Sequence, residues 1–413
     1  SKAPYPEHIS SIYKPVAASQ DFKVTGVYFA SDDLHKLKNT ETVDISNNSE
    51  ARIKLLKDMI LDCGAITVDI FHPDEDPSAG IPDDSKLLSA AAGYYTGDFG
   101  KTRANHAVLI VGWNDDFSRD DFGGVYSPDM KPASDGAWIV RNSWGTEYGD
   151  NGYYYVSYEE NSLCNANAFI AESAVAEEKI YQYDPLGLVV FTDDGRYIPP
   201  EDPEGEEEED PEFEDDDNVA PRNALSSAYG MDTSAFANIF TAGRNESLVS
   251  IAFYTPLPNA ECEAKIYTGC SGSPTSGDLK AAFSKTLKYG GYNTLKLPSP
   301  VALAKGEKFS VVVKVTTPGK IVRRVPIESN TGMEDEVSKA TFEKGRCWKS
   351  SNGTDWTDTV PDEWGSNVCL KAFTIPPAQN SSGGCNADWA VLLIFAAVPI
   401  MFKRNRKGQT PVR

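Results

Sequence analysis

The chain has 413 residues, of which 40% are hydrophobic and 24% charged, with a formal net charge of −22. That length and apolar content allow two or three packed domains and exclude a wholly disordered chain. The acidic balance argues against a nucleic-acid partner, because phosphate contacts need a basic surface.

From the N-terminus, residues 5–27 show no clear hydrophobic period and carry Pro6 and Pro15, so they read as a connection. Ile53, Leu56 and Ile60, with Leu55 and Met59, then follow helical spacing, and Gly64 ends that helix. Ala65 to Ile70 reads as a strand. Cys63, at the end of the helix, reads as a small buried hydrophobe. An apolar strand opened by His106 follows, Asn105-His106-Ala107-Val108-Leu109-Ile110-Val111-Gly112-Trp113. Asn114 to Asp135, rich in Asp, Gly and Pro, reads as a surface loop. Gly136-Ala137-Trp138-Ile139-Val140-Arg141 is a second apolar strand, closed by the turn Asn142-Ser143-Trp144-Gly145. Tyr153 to Tyr158 and Ala168 to Ala174 read as further strands, and the first domain ends near Pro185.

Glu201 to Asp217 holds 13 acids and no basic residue, and without it the net charge is about −9. Such a tract repels itself, so residues 186–218 read as an extended, disordered linker. Its spacing matches no calcium loop, and no metal or cofactor is expected. From about Val219 the pattern changes to short strands: Ala235–Phe240, Ser247–Thr255, Glu263–Thr268, Leu295–Leu297, Phe309–Thr317 and Cys369–Ile375. Residues 219–376 therefore read as an all-β sandwich, with Asn352-Gly353 as a hairpin turn. Trp348, Trp356 and Trp364 cluster late in it and either fill the core or face a sugar. Cys262 with Cys270, and Cys347 with Cys369, either bridge or stay free. In residues 377–413, Gly383-Gly384-Cys385 precedes an apolar run from Ala390 to Phe402 and the basic Lys403-Arg404-Asn405-Arg406-Lys407. Thirteen apolar residues are short of the roughly 20 that span a bilayer, and the cations hold the tail on the cytoplasmic side.

The two segments Asn105–Trp113 and Gly136–Gly145, with Gly149–Tyr153 behind them, resemble the C-terminal half of the papain family of cysteine peptidases. The resemblance implies an α+β first domain over residues 1–185, of which this chain holds the β-rich lobe. It also implies that His106 is the general base and acid, that Asn142 orients it, and that Trp144 covers their hydrogen bond. The chemistry needs those types: a thiol is mostly protonated at neutral pH, an imidazole takes its proton, and an amide oxygen fixes one tautomer. The family's Cys-Trp nucleophile is expected more than 100 residues before the His, and its oxyanion Gln also upstream. Neither stands in this sequence, so truncation or a degenerate peptidase is the expectation.

The insertion Asn114–Asp135, Phe253-Tyr254-Thr255-Pro256 and Ser350 to Asp358 resemble the bacterial members that carry a lectin-like domain. The C-terminal layout is similar to bacterial sorting signals of the Gly-Gly-Cys type, which implies that Cys385 is an anchoring or processing residue. The expectation is a surface-anchored cysteine endopeptidase, exported to the cell envelope and attached to the membrane through its C-terminus. Its expected partner is a protein or peptide substrate, with a cell-surface glycan as a second candidate. The alternative is a catalytically inactive surface protein that binds peptide or glycan on the same scaffold.

Overall fold

The computed structural model describes residues 22–30, 49–72, 93–97, 104–124, 130–188, 190–192, 233–317, 325–329, 340–360 and 365–377. The acidic tract 201–217, Trp364 and the whole C-terminal segment with Cys385 lie outside them. No helix among the described residues is long and apolar enough to cross a membrane.

Helix α1 (Glu50–Cys63) starts where the Ser49 side chain accepts the Arg52 backbone N–H at 3.2 Å, with Glu50 placing negative charge in the first turn. It stops at Gly64, whose φ of 91° carries its N–H back to the Ile60 carbonyl. Leu56, Met59 and Ile60 are buried, so the spacing read from the sequence is the core-facing stripe. Beneath the helix lie β1 (Phe22–Ala30), β2 (Ile66–Ile70), β3 (Gly93–Tyr95), β4 (His106–Asn114), β5 (Phe122–Gly124), β6 (Ala137–Arg141), β7 (Tyr153–Ser157) and β8 (Cys164–Ser173). Their order in the sheet is β5-β3-β7-β6-β4-β2-β8-β1.

Two expectations change here. Residues 22–27, read as part of a connection, belong to the strand Phe22–Ala30, which is paired along its length with β8. A register shift between Val24 and Gly26 breaks its alternation, which hides a strand from a period of two. The segment Asn114–Asp135 is more than a surface loop. It contributes β5, parallel to β3, and Phe122 is 1% exposed, with the Phe117 ring 4.9 Å away. Phe122, with Phe117 packed on it, anchors the described part of this insertion, and composition averages such a contact away.

The second half forms β9 (Lys179–Tyr181), β10 (Val190–Thr192), β11 (Thr233–Thr241), β12 (Glu246–Thr255), β13 (Ala260–Thr268), β14 (Asp278–Leu287), β15 (Gly290–Leu303), β16 (Lys308–Thr316), β17 (Val325–Glu328), β18 (Cys347–Ser350), β19 (Thr357–Asp358), β20 (Asn367–Val368) and β21 (Leu370–Ile375). A six-stranded sheet, β14-β13-β16-β11-β18-β19, and the arm β15-β12-β21-β9 share one apolar core. Phe236, Phe309 and Val311 enter it from the first sheet, and Leu248, Phe253 and Leu295 from the second. This is the expected sandwich. Strand β14 escapes a hydrophobicity reading because it is a mostly exposed edge carrying Lys280 and Lys285. Strand β10, inside the stretch read as linker, pairs with β17. Cys262, Cys270, Cys347 and Cys369 are buried free thiols, so neither candidate bridge forms.

The two halves share a sheet. Strand β1 pairs with β8 on one side and with β15 on the other, from Gly26 opposite Asn293 to Phe29 opposite Gly290. The result is a single twelve-stranded sheet. At the same seam Asp62, near the end of α1, accepts from Lys288 Nζ and from the Tyr289 hydroxyl, both at 2.6 Å. Tyr289 lies in the first module's core, its ring 5.2 Å from that of Tyr28.

Candidate active site

His106 opens β4 opposite Ile70, the last residue of β2. Val108 and Ile110 follow on the same face and are buried, so the imidazole sits at the open rim of the core. Asn142 directly follows β6, and its backbone N–H donates to the Gly152 carbonyl at 2.9 Å. The turn that returns the chain there passes through Gly149 at φ 60°, where a Cβ would lie 2.2 Å from the Tyr153 carbonyl oxygen. Only glycine fits such an approach.

The side chains meet at 2.9 Å, His106 Nε2 to Asn142 Oδ1. The atom types fix the proton. The Ser143 backbone N–H points at the same Asn142 oxygen at 2.8 Å, and an N–H only donates, so the atom it meets is the carbonyl oxygen. That oxygen accepts, so Nε2 of a neutral His106 carries the hydrogen and Nδ1 holds the lone pair. Asn142 is 8% exposed, and its Nδ2 is buried with no hydrogen-bond partner among the described residues. Leaving such a donor unmet costs about 1–3 kcal/mol. The Trp144 ring lies 4.9 Å from the His106 ring at 37° and screens the pair from one side.

A residue not singled out from the sequence also stands here. His72, two residues beyond β2, is 4% exposed, and its ring centroid lies 5.0 Å from that of His106. Its backbone is clasped by the Asn105 side chain, which accepts the His72 N–H at 2.7 Å and donates to the His72 carbonyl at 2.5 Å. Two of the four histidines in the chain therefore meet at one point. No periodicity marks His72, since it falls outside both the strand and the helix.

Beside Asn142 a groove of about 490 Å³ is lined by Thr67, Ala107, Leu109, Arg141, Ser143 and Thr146. Ala107 and Leu109 alternate with the core-facing residues of β4, so the groove lies on the sheet's other face. No three His, Cys, Asp or Glu side chains converge on a metal position among the described residues.

The thiols among the described residues do not complete the site. Burial pushes the Cys63 thiol above its ordinary value and nearby Asp62 adds to this, and it ends a helix whose C-terminal dipole disfavours a thiolate. Cys262 is pushed up to about 12 by burial, and Cys270, Cys347 and Cys369 are raised by the same cause. Cys164 opposes Asp69, which in turn opposes Ala107, so it stands on the face away from His106.

Residues 78–176, which contain this whole constellation except His72, match the family described as papain family cysteine protease, and residues 223–374 match the lectin like domain. The chain therefore carries one segment similar to the papain family and one similar to the lectin-like domain, and neither match spans half of its length. Among curated relatives, human cathepsin L2 is 34% identical over 71 residues, which are 17% of this chain and 18% of that protein. Pineapple (Ananas comosus) ananain is 37% identical over 70 residues, 17% of this chain and 16% of that protein. The chain thus spans less than a fifth of the length of these two relatives. Among solved structures, the clostridial cysteine protease Cwp84 after propeptide cleavage matches with a TM-score of 0.58 at 22% identity, over 86% of this chain and 71% of that one. The cysteine protease and lectin-like domains of Cwp84, a surface layer associated protein of Clostridium difficile, match with a TM-score of 0.56 at 21% identity, over 86% and 64%. At that identity the likeness establishes the fold, in which a papain-like lobe and a lectin-like sandwich follow one another along the chain.

Proposed function

We propose that this chain supplies the base-and-orienter half of a cysteine endopeptidase, with His106 and Asn142 in those roles and the thiol delivered by polypeptide outside these 413 residues. The observation that carries the reading is the oriented contact from His106 Nε2 to Asn142 Oδ1, with Ser143 N–H holding the amide oxygen in place. In the reaction, Nδ1 of His106 takes the thiol proton, the thiolate attacks the peptide carbonyl carbon, and the imidazolium returns the proton to the leaving amine. Asn142 keeps the ring in one tautomer and steadies the imidazolium, and Trp144 keeps water off that hydrogen bond. The substrate is a protein or peptide. The segment with Gly383-Gly384-Cys385, the apolar run 390–402 and the basic tail supports an exported protein held at the cell envelope through its C-terminus, with Cys385 the anchoring residue.

The test uses the product of the complete gene. Cleavage of an unfolded protein, blocked by a thiol alkylator and reduced about 10²–10⁴-fold in His106→Ala, is the expected result. The 413-residue chain alone should show no turnover. A complete product that folds but has no alkylator-sensitive cleavage refutes the reading.

A second reading is a catalytically inactive protein that binds peptide or glycan, and it is compatible with burial pushing the Cys63, Cys262, Cys270, Cys347 and Cys369 thiols above their ordinary value. A glycan would meet the lectin-like domain near Trp348 and Trp356, whose indole N–H groups are buried with no acceptor among the described residues. Tryptophan fluorescence that no sugar quenches removes the glycan from this reading.

A further inference from the structure

We propose that His72 is a positioning residue for His106, a second imidazole that holds the plane of the first. The proposal rests on the reading of His106 as the general base.

The geometry is a triangle of three rings. His106 and Trp144 lie 4.9 Å apart, His72 and His106 5.0 Å, and His72 and Trp144 5.2 Å. The Asn142 hydrogen bond holds one atom of the His106 ring. A ring held at one atom can still rock about that contact and about its Cβ–Cγ bond. Trp144 meets the His106 ring at 37° and His72 meets it nearly perpendicular, at 83°. Contacts in two such different planes block rocking that either alone permits. Nδ1, the atom that has to face the thiol, is then fixed in direction as well as in protonation state.

His72 is itself firmly held. Its ring stacks on Tyr94 at 4.9 Å and 26°, and its Nε2 lies 3.4 Å from the Tyr154 hydroxyl. The Tyr94 hydroxyl donates to the Phe71 carbonyl, fixing the backbone just before it. Asn105, which clasps the His72 backbone from both sides, is the residue before His106. One side chain therefore ties the two histidines together through the backbone while their rings meet at the rim of the core. The His72 side chain is 4% exposed and stacked on Tyr94, so the site takes a flat ring in one plane. The positioning role requires a flat, rigid ring whose edge can face the His106 ring.

Two substitutions that both fill the space separate these accounts. In chain labelled with ¹⁵N-histidine, each of the four histidines is assigned by its own single substitution. Wild type should show His106 as the Nε2–H tautomer, with well-separated ring nitrogen resonances and a slowly exchanging ring proton. His72→Phe keeps a ring and should leave the His106 resonances in place. His72→Leu keeps the bulk but not the ring. It should draw the two His106 nitrogen resonances toward each other and broaden the Nε2 proton. Leucine behaving like phenylalanine and like wild type overturns the proposal. This readout is blind to turnover, so it stands or falls separately from the cleavage assay, which tests the peptidase reading itself.

Discussion

Replacing Gly291 by alanine tests whether the seam between the two modules is a true continuation of one sheet. Gly291 lies on β15 opposite Tyr28 of β1, at φ 110°. A Cβ built there sits 2.1 Å from the Val27 carbonyl oxygen and 3.2 Å from the Phe29 nitrogen, both backbone atoms of the strand that joins the halves. The left-handed φ costs an L-residue about 1–3 kcal/mol, and moving a paired strand aside adds about 1–3 kcal/mol more. The sum, about 2–6 kcal/mol, is a large part of the 5–15 kcal/mol typical of a folded domain. At about 2–4 °C per kcal/mol for 150–250 residues, the melting temperature should fall by on the order of 10 °C. Gly306→Ala is the control. Its φ is 84°, but no atom lies within 4 Å of the added Cβ, so only the conformational strain of about 1–2 kcal/mol applies. Differential scanning calorimetry of the two variants makes the comparison. Equal shifts would show that β1 and β15 are not packed as described, and the seam would lose its basis.

Three further outcomes are expected. Phe122→Ala should destabilise the chain by about 3–5 kcal/mol in urea unfolding, because that ring is buried beneath the acidic insertion; a loss under 1 kcal/mol would return the insertion to a surface loop. Cys63 and Cys262 should react with iodoacetamide far more slowly at pH 7 than free cysteine does. Their rates should rise only well above the ordinary thiol value of about 8.5, since both pKa values are raised and the thiolate is the reactive form. The hydrogen bonds from Lys288 and Tyr289 hold the Asp62 carboxyl below the usual carboxylate range. Its folded value is depressed, so its stabilisation is present above about pH 4 and is lost as pH falls through the lowered value. Asp62→Asn should remove that component, and a variant whose acid melting profile overlays wild type would show that the contact is not formed in solution.

Much of the molecule was legible before any coordinate. The helical stripe at 53, 56 and 60 with Gly64 behind it became α1, since a helix stop and a 3.6-residue period are both local. The strands of the sandwich core were visible for the same reason: Val311, Val313 and Val315 all point inward from β16. His106 and Asn142 were legible as candidates because each sits in its own motif, one opening a strand and one in a turn. Phe22–Ala30, β14 and the Phe122 anchor were not, because a bulge, an exposed charged edge and a single buried ring leave no period in the sequence.

The sequence by itself determined α1, the core strands of the sandwich and which residue types could exchange a proton. What only the tertiary structure decided is how they meet: the 2.9 Å contact across 36 residues, the amide orientation set by Ser143, the His72 ring beside His106, and the single sheet that β1 makes of both modules. Propensity, capping and periodicity act over a few residues and are written in neighbouring letters. Ring contacts, strand register and proton placement depend on distances between segments far apart in the chain, and those distances are set only when the core packs.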